Sequence, residues 1–135
     1  MKQSIVDKAV ELYELGYSSS QSVCAALAGH YGLDQETAMK MSASFGDGTS
    51  HLNGTCGAVD ALVVMAGFEK GQGLLDTEDI REENYKMVRD LVGQFKKRHG
   101  SVYCYQLCEG IKCREKCMKF IQSAAEIYTD YIGLK

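Results

Sequence analysis

The sequence predicts an all-α fold, and three observations support that prediction. Proline is absent from all 135 residues. Apolar residues recur at helical spacing along the whole chain, and the alternation typical of strands is hard to find. We therefore expect a single domain, residues 1–135, built as a bundle of about six to seven helices.

The first two helices are marked by their ends. An apolar stripe predicts a helix over about residues 3–15, and Gly16 ends it. Ser18 or Ser19 then caps a second helix that is expected to reach about Tyr31. Cys24 lies on the apolar face of that second helix.

The middle of the chain predicts a helix, a loop and a buried helix in turn. Asp34 caps the third helix, in which Met41 is expected to face inward. Glycine content predicts a loop over residues 46–54. The helix expected over residues 55–68 is apolar almost all round, which is typical of a central, buried helix.

The last third of the chain predicts one long helix and a terminal hairpin. Thr77 is expected to cap the long helix, which reaches about Arg98 and ends at His99-Gly100. Ser101 is expected to cap a short helix that reaches Cys108, and Gly110 turns the chain. A final helix is predicted over about residues 112–131.

Composition excludes several classes of function. The chain is 45% hydrophobic and 24% charged with a net charge of −3, so we expect a globular protein with no affinity for nucleic acid. No apolar run approaches membrane-spanning length, and the first residues lack the apolar core of a signal peptide. We therefore expect a cytoplasmic protein without membrane contact, in which structural disulfides are rare.

The most informative feature is the set of six cysteines. Cys24 and Cys56 lie upstream, whereas Cys104, Cys108, Cys113 and Cys117 form a C-x3-C-x4-C-x3-C run. Cysteines four residues apart share a helix face, so two cysteine pairs can close like a hairpin. Two bridges or a tetrathiolate metal site both fit this spacing. The two-residue spacings typical of zinc knuckles and the bacterial ferredoxin spacing are absent.

Cys56 is the strongest candidate for a reactive thiol. It follows a glycine-rich stretch and is expected in the first turn of its helix, where unpaired N–H groups favour a thiolate. Gly54 and Gly57 are expected to leave open space beside the sulfur for a second thiol, a substrate or a metal. Asp60 opposes ionisation of this thiol if it is charged and nearby.

The cysteines and their flanks resemble a known family. The stretches G-Y-S-S-S-Q-S-V-C-A-A and C-G-A-V-D-A-L, followed by two later cysteines, are similar to the prokaryotic C_GCAxxG_C_C proteins, which are described as redox-active. The resemblance covers residues 16–127. It implies that four hallmark cysteines carry the activity: Cys24, Cys56, Cys104 and Cys117.

The resemblance also identifies neighbouring positions and departures. Gly57 and Ala58 belong to the motif, so with Gly54 they are the expected cofactor-binding positions. The closing glycine of the motif is Ala61 here. Cys108 and Cys113 fall outside the family pattern, and a bridge between them would close a short loop and add little stability.

Three functions remain open from the sequence. The leading hypothesis is thiol–disulfide or electron-transfer chemistry, which includes a thiol-dependent oxidoreductase with an unknown redox partner and no cofactor. The second is a metal ion or iron–sulfur cluster bound by Cys24, Cys56, Cys104 and Cys117. The third is a helical interaction module with structural cysteines. A homodimer is compatible with each hypothesis, although no motif predicts it.

Overall fold

The computed structural model describes residues 1–108 and 113–135. Seven right-handed α-helices lie within those ranges, and the all-α prediction is confirmed. They are α1 (Lys2–Glu14), α2 (Ser19–Ala28), α3 (Gln35–Ser42), α4 (Gly57–Lys70), α5 (Glu78–His99), α6 (Cys104–Leu107) and α7 (Arg114–Tyr131). The turn predicted at Gly110 and the helix start predicted at residue 112 lie outside the described residues.

Three predicted helix caps are confirmed. The Ser18 hydroxyl accepts a hydrogen bond from the Gln21 N–H, and the Gln21 side chain accepts one from the Ser18 N–H. Asp34 accepts from the N–H of residue 37 at 2.9 Å, and Thr77 accepts from the N–H of residue 80 at 3.3 Å. Each cap satisfies an N–H group that has no partner within its own helix.

Two predicted helix starts are wrong, and the same local contact explains both. Thr55 pairs with Tyr103 in an isolated antiparallel bridge, so α4 begins at Gly57, and α6 begins at Cys104. Ser101 is not the cap of α6. Its hydroxyl accepts a hydrogen bond from the Tyr103 N–H and donates one to the Gln106 side chain.

The core lies where α2 and α4 pack against each other and against α1, α5 and α7. As predicted, α4 is central, with Leu62 and Met65 fully buried. Met41 was expected to face inward, but it is 42% exposed because α3 packs through Ala38 and Ser42. Within residues 1–108 and 113–135 we find no helix that is both long and apolar enough to cross a bilayer.

Candidate functional site

The bridge between Thr55 and Tyr103 places two distant cysteines on one side of the chain. The Cys56 N–H donates to the Val102 carbonyl at 2.7 Å, and the Cys104 N–H donates to the Gly54 carbonyl at 3.1 Å. Side chains alternate across extended backbone, so Thr55 and Tyr103 share one face while Cys56 and Cys104 share the other. The two cysteines are therefore diagonal neighbours on the face opposite the bridge pair.

A left-handed turn packs against this bridge. Residues 47–51 all have positive φ, between 55° and 69°, although only Gly48 among them is a glycine. The turn is closed by the Gly54 N–H, which donates to the Gly48 carbonyl at 2.9 Å. A Cβ added at Gly48 would lie 3.1 Å from the Cys104 Cβ. A left-handed backbone costs non-glycine residues about 1–2 kcal/mol each, so this turn depends on its tertiary contacts.

Three of the four hallmark cysteines line one small cavity, which we call the inner cavity. It has a volume of about 30 Å³ and is bordered by Cys56, Cys104 and Cys117, together with Cys108. Leu107 and Phe120 contribute apolar side chains to its wall. A space of this size holds about one or two water molecules, so it admits a sulfur atom or a small group and no larger ligand.

An open cleft lies beside the inner cavity, and the two share several walls. The cleft has a volume of about 850 Å³ and is lined by the four cysteines of the C-terminal run. Cys104, Cys108 and Cys117 border both spaces, whereas Cys113 borders the cleft and Cys56 borders the inner cavity. The cysteines therefore extend from the open surface towards the core.

Cys108 and Cys113 form a disulfide bond whose Cα atoms lie 5.8 Å apart. The other four cysteines are free thiols. Structural disulfides were expected to be rare in this chain, and a bond between these two residues was expected to close only a short loop. The disulfide joins the residue after α6 to the residue before α7, and both cysteines line the cleft.

Cys24 lies apart from these three hallmark thiols. It is 1% exposed on α2, and its thiol makes a hydrogen bond with Ser42. Burial raises the pKa of Cys24 to about 12, and the Asp60 carboxylate adds to that increase. Cys24 does not line the inner cavity or the cleft.

The expectation that Cys56 ionises readily is wrong. Cys56 is the residue immediately before α4, and the N–H groups of Ala58 and Val59 do favour its thiolate. Burial has the larger effect and raises the pKa of Cys56 to about 12. Desolvation penalises the charged form of a thiol, and with 5% exposure it outweighs the helix end.

The half-buried thiols Cys104 and Cys117 differ in their neighbours. Burial raises the pKa of both, and the negative charge of Asp47 raises both further. Cys117 alone of the two has an opposing effect, because the Tyr13 hydroxyl forms a hydrogen bond with it that lowers its pKa. The Arg114 guanidinium lies 5.2 Å from the centre of the Tyr13 ring.

The expected open space beside Gly54 and Gly57 is occupied by the chain itself. A Cβ at Gly54 would lie 2.8 Å from the Thr49 hydroxyl, and one at Gly57 would lie 3.0 Å from the Ser20 nitrogen. These glycines let backbone segments approach closely. Of the three positions expected to contact a cofactor, Gly57 lines the inner cavity, whereas Gly54 does not and the Ala58 side chain is buried in the core.

Sequence reasoning missed several residues that line the cleft, among them Tyr13, Asp47 and Arg114. Tyr13 lies in α1, and no local pattern connects it to a cysteine about a hundred residues later. Arg114 follows Cys113 directly, and a cation next to a thiol cluster is a signal that could have identified it. His51 also lines the cleft, where its side chain is 84% exposed.

Among the residues that the structure describes, no group of three or more His, Cys, Asp or Glu side chains is placed to hold a metal ion.

Comparison with known proteins identifies one relationship. A family model described as "Putative redox-active protein (C_GCAxxG_C_C)" matches residues 17–131. None of the curated proteins and none of the solved structures matches the chain.

Proposed function

The chain belongs to the C_GCAxxG_C_C family of redox-active proteins, and from that premise we propose that it carries out thiol–disulfide exchange with Cys104 and Cys117 as the working pair. One observation carries the proposal. These two half-buried free thiols border both the inner cavity and the open cleft. A disulfide-bearing partner can therefore reach them from the cleft, while their reaction with each other stays within the protein.

We assign the first nucleophilic attack to Cys117 because of the residues around the two thiols. The attacking species in exchange is the thiolate, and the Tyr13 hydroxyl stabilises the Cys117 thiolate by a hydrogen bond. Cys117 attacks one sulfur of an external disulfide, forms a mixed disulfide, and releases the other sulfur as a thiol. Cys104 then attacks Cys117, which closes a Cys104–Cys117 disulfide and releases the second external thiol. Two protein thiols are oxidised, and one external disulfide is reduced to two thiols.

Cys56 has a different part in this proposal. Its pKa of about 12 and its 5% exposure make it a poor first nucleophile. It borders the inner cavity with Cys104 and Cys117, so we assign it the role of an internal thiol that can resolve a disulfide formed there. The role that the family resemblance implies for Cys24 remains a prediction.

The same proposal covers the location and the partner. The protein acts in a reducing compartment, the cytoplasm, where Cys104 and Cys117 rest as free thiols. Its partner is a molecule with an accessible disulfide, either a small disulfide or a protein that presents one at the cleft. No resident cofactor is needed for exchange between thiols and disulfides.

A redox titration tests the proposal. The protein is equilibrated with mixtures of oxidised and reduced glutathione, quenched with acid, and its disulfides are mapped by mass spectrometry, with metal content measured alongside. We expect one couple that involves Cys104 and Cys117, and we expect Cys104→Ser or Cys117→Ser to abolish it. A titration of the wild-type chain in which no Cys104–Cys117 disulfide forms would overturn the assignment.

A second test concerns the nucleophile. We expect Tyr13→Phe to slow alkylation of Cys117 by about threefold at pH 8, because loss of the hydrogen bond raises the pKa of that thiol. The matched control is Tyr17→Phe, a tyrosine that lines neither the cleft nor the inner cavity. Equal rates in the two variants would remove Tyr13 from the mechanism.

A further inference from the structure

The four cysteines of the C-terminal run form two neighbouring pairs at the cleft. Cys108 follows Cys104 by one helical turn, and its N–H donates to the Cys104 carbonyl at 3.0 Å. Cys117 follows Cys113 in the same way, with a hydrogen bond of 2.7 Å. The disulfide joins Cys108 to Cys113. Cys104 and Cys117 therefore each lie one helical turn from a cysteine of the disulfide, on the two segments that the disulfide joins.

The disulfide differs from the free pair at one position. Cys113 borders the open cleft and does not border the inner cavity, whereas Cys104, Cys108 and Cys117 border both. Residues one helical turn apart have Cβ atoms about 5–6 Å apart, and a disulfide needs about 3.5–4.5 Å. A modest movement is therefore enough for a thiol of one pair to reach a sulfur of the other.

From this arrangement we propose that the Cys108–Cys113 disulfide is a second redox couple that exchanges with Cys104 and Cys117, so that a disulfide is relayed between the cleft and the inner cavity. The inference rests on the proposed function, because it needs Cys104 and Cys117 to form a disulfide. It assigns a role to two cysteines that lie outside the four hallmark positions. Exchange with an external disulfide then takes place at Cys108 and Cys113 as well as at Cys104 and Cys117.

Each step of the relay is balanced. The Cys104 thiolate attacks the Cys108 sulfur, the Cys104–Cys108 bond forms, and Cys113 leaves as a thiolate. Arg114 is the next residue and lines the same cleft, so its cation stabilises the departing negative charge. The Cys117 thiolate then attacks Cys104, and Cys108 leaves. One disulfide has moved, two thiols have been oxidised and two sulfurs have been reduced and protonated.

The relay predicts that the two single-disulfide forms interconvert without any external reagent. The wild-type chain is partly oxidised with oxidised glutathione, and the Cys108–Cys113 and Cys104–Cys117 forms are separated at pH 3, where thiols are protonated and exchange stops. Each form is then returned to pH 8 without glutathione. Samples are quenched with acid over time, and their disulfides are mapped by mass spectrometry.

We expect both forms to reach the same final ratio, with first-order rates that do not change when the protein concentration is raised tenfold. Even if the equilibrium strongly favours one form, conversion can be measured in the sample that starts from the other form. We expect Cys117→Ser, prepared with its Cys108–Cys113 disulfide, to form no Cys104–Cys117 bond and to yield the Cys104–Cys108 intermediate when freed Cys113 is trapped by alkylation. Two forms that persist unchanged, or a rate proportional to protein concentration, would overturn the relay.

The Cys108→Ser/Cys113→Ser double variant separates this inference from the proposed function. If the variant shows the Cys104–Cys117 couple in a glutathione titration but the wild-type forms do not interconvert, the relay alone is overturned. If no Cys104–Cys117 disulfide forms in the variant or in the wild type, the proposed function is overturned and the relay with it. If the relay is correct, the variant keeps the couple and loses the kinetic phase in which disulfide moves from Cys108 and Cys113.

Discussion

Two regions of this molecule are stabilised in different ways. The helical core, formed by α1, α2, α4, α5 and α7, follows local sequence signals, with side-chain caps on α2 and α5 and apolar stripes that meet at the centre. The cleft wall, residues 46–56 and 101–108, combines a left-handed turn, an isolated bridge and one short helix. Local caps and apolar periodicity specify the helices of the core, whereas the cleft wall keeps its conformation through contacts with other parts of the chain.

This difference bears on where chemistry is placed. Buried thiols in a regular core, such as Cys24, are desolvated and resist ionisation. Irregular backbone at the edge of that core can hold half-buried thiols at an open cleft without exposing the core itself. The following predictions test this separation between stability in the core and reactivity in the cleft wall, from the largest expected effect to the smallest.

The largest effect is expected for a core substitution. Leu62→Ala removes a fully buried side chain of α4 and should lower the free energy of unfolding by about 3 kcal/mol. Alkylation rates of Cys104 and Cys117 in the folded protein should stay within about twofold of wild type. Denaturant unfolding and timed alkylation measure the two quantities. The control is Leu74→Ala, at a position that is 83% exposed, where we expect no loss of stability.

A smaller loss is expected in the cleft wall, this time together with a change in reactivity. Gly48 has φ of 69°, and an added Cβ would lie 3.1 Å from the Cys104 Cβ. Gly48→Ala should cost about 1–2 kcal/mol and alter the alkylation rate of Cys104. Gly67→Ala is the matched control, because a Cβ there meets nothing within 4 Å inside α4, and it should stabilise the protein slightly. An unchanged Cys104 rate in Gly48→Ala would break the proposed link between the turn and the thiol.

Asp60 connects the two regions and should make stability depend on pH. Its carboxylate accepts a hydrogen bond from Thr49 of the left-handed turn at 3.3 Å, and burial raises the pKa of Asp60 from 3.8 to about 6. Below about pH 3.8 the group is neutral in both the folded and the unfolded state. As the pH rises towards 6, the unfolded state ionises first, so the stability from this group falls and stays lower above pH 6.

Asp60→Asn removes that ionisation. We expect the variant to gain about 1 kcal/mol relative to wild type at pH 7, a value discounted because the side chain is only half-buried. At pH 4 the gain should be much smaller. Unfolding curves at the two values of pH provide the measurement, with the exposed Asp7→Asn as control. A gain that is the same at both values would show that ionisation of Asp60 does not contribute.

The smallest effect concerns the charge at the mouth of the cleft. Burial is the main cause of the raised pKa of Cys104 and Cys117, and the Asp47 carboxylate raises both pKa values further. Asp47→Asn should therefore speed alkylation of both thiols by about twofold at low salt, and added salt should reduce the difference. Asparagine tolerates the positive φ of this position, so the turn should persist. Glu83→Gln, which lies on the exposed face of α5, is the control and should leave both rates unchanged.

The sequence by itself determined the all-α class, the caps at Ser18, Asp34 and Thr77, and the central position of α4. These features depend on residues within a few positions of one another, so local patterns carry them. The family to which the chain belongs was also recognised from cysteine order and flanks. The site roles that this resemblance implies for the four hallmark cysteines remain predictions.

Only the tertiary structure decided which thiols meet and what surrounds them. Cys56 and Cys104 are brought together by a bridge between segments about fifty residues apart, and Tyr13 reaches Cys117 from the first helix. The ionisation of Cys56 was mispredicted because a sequence shows the helix end but does not show the burial that outweighs it. Desolvation and long-range contacts depend on the position of every neighbour in space, and the local sequence around a residue does not contain that information.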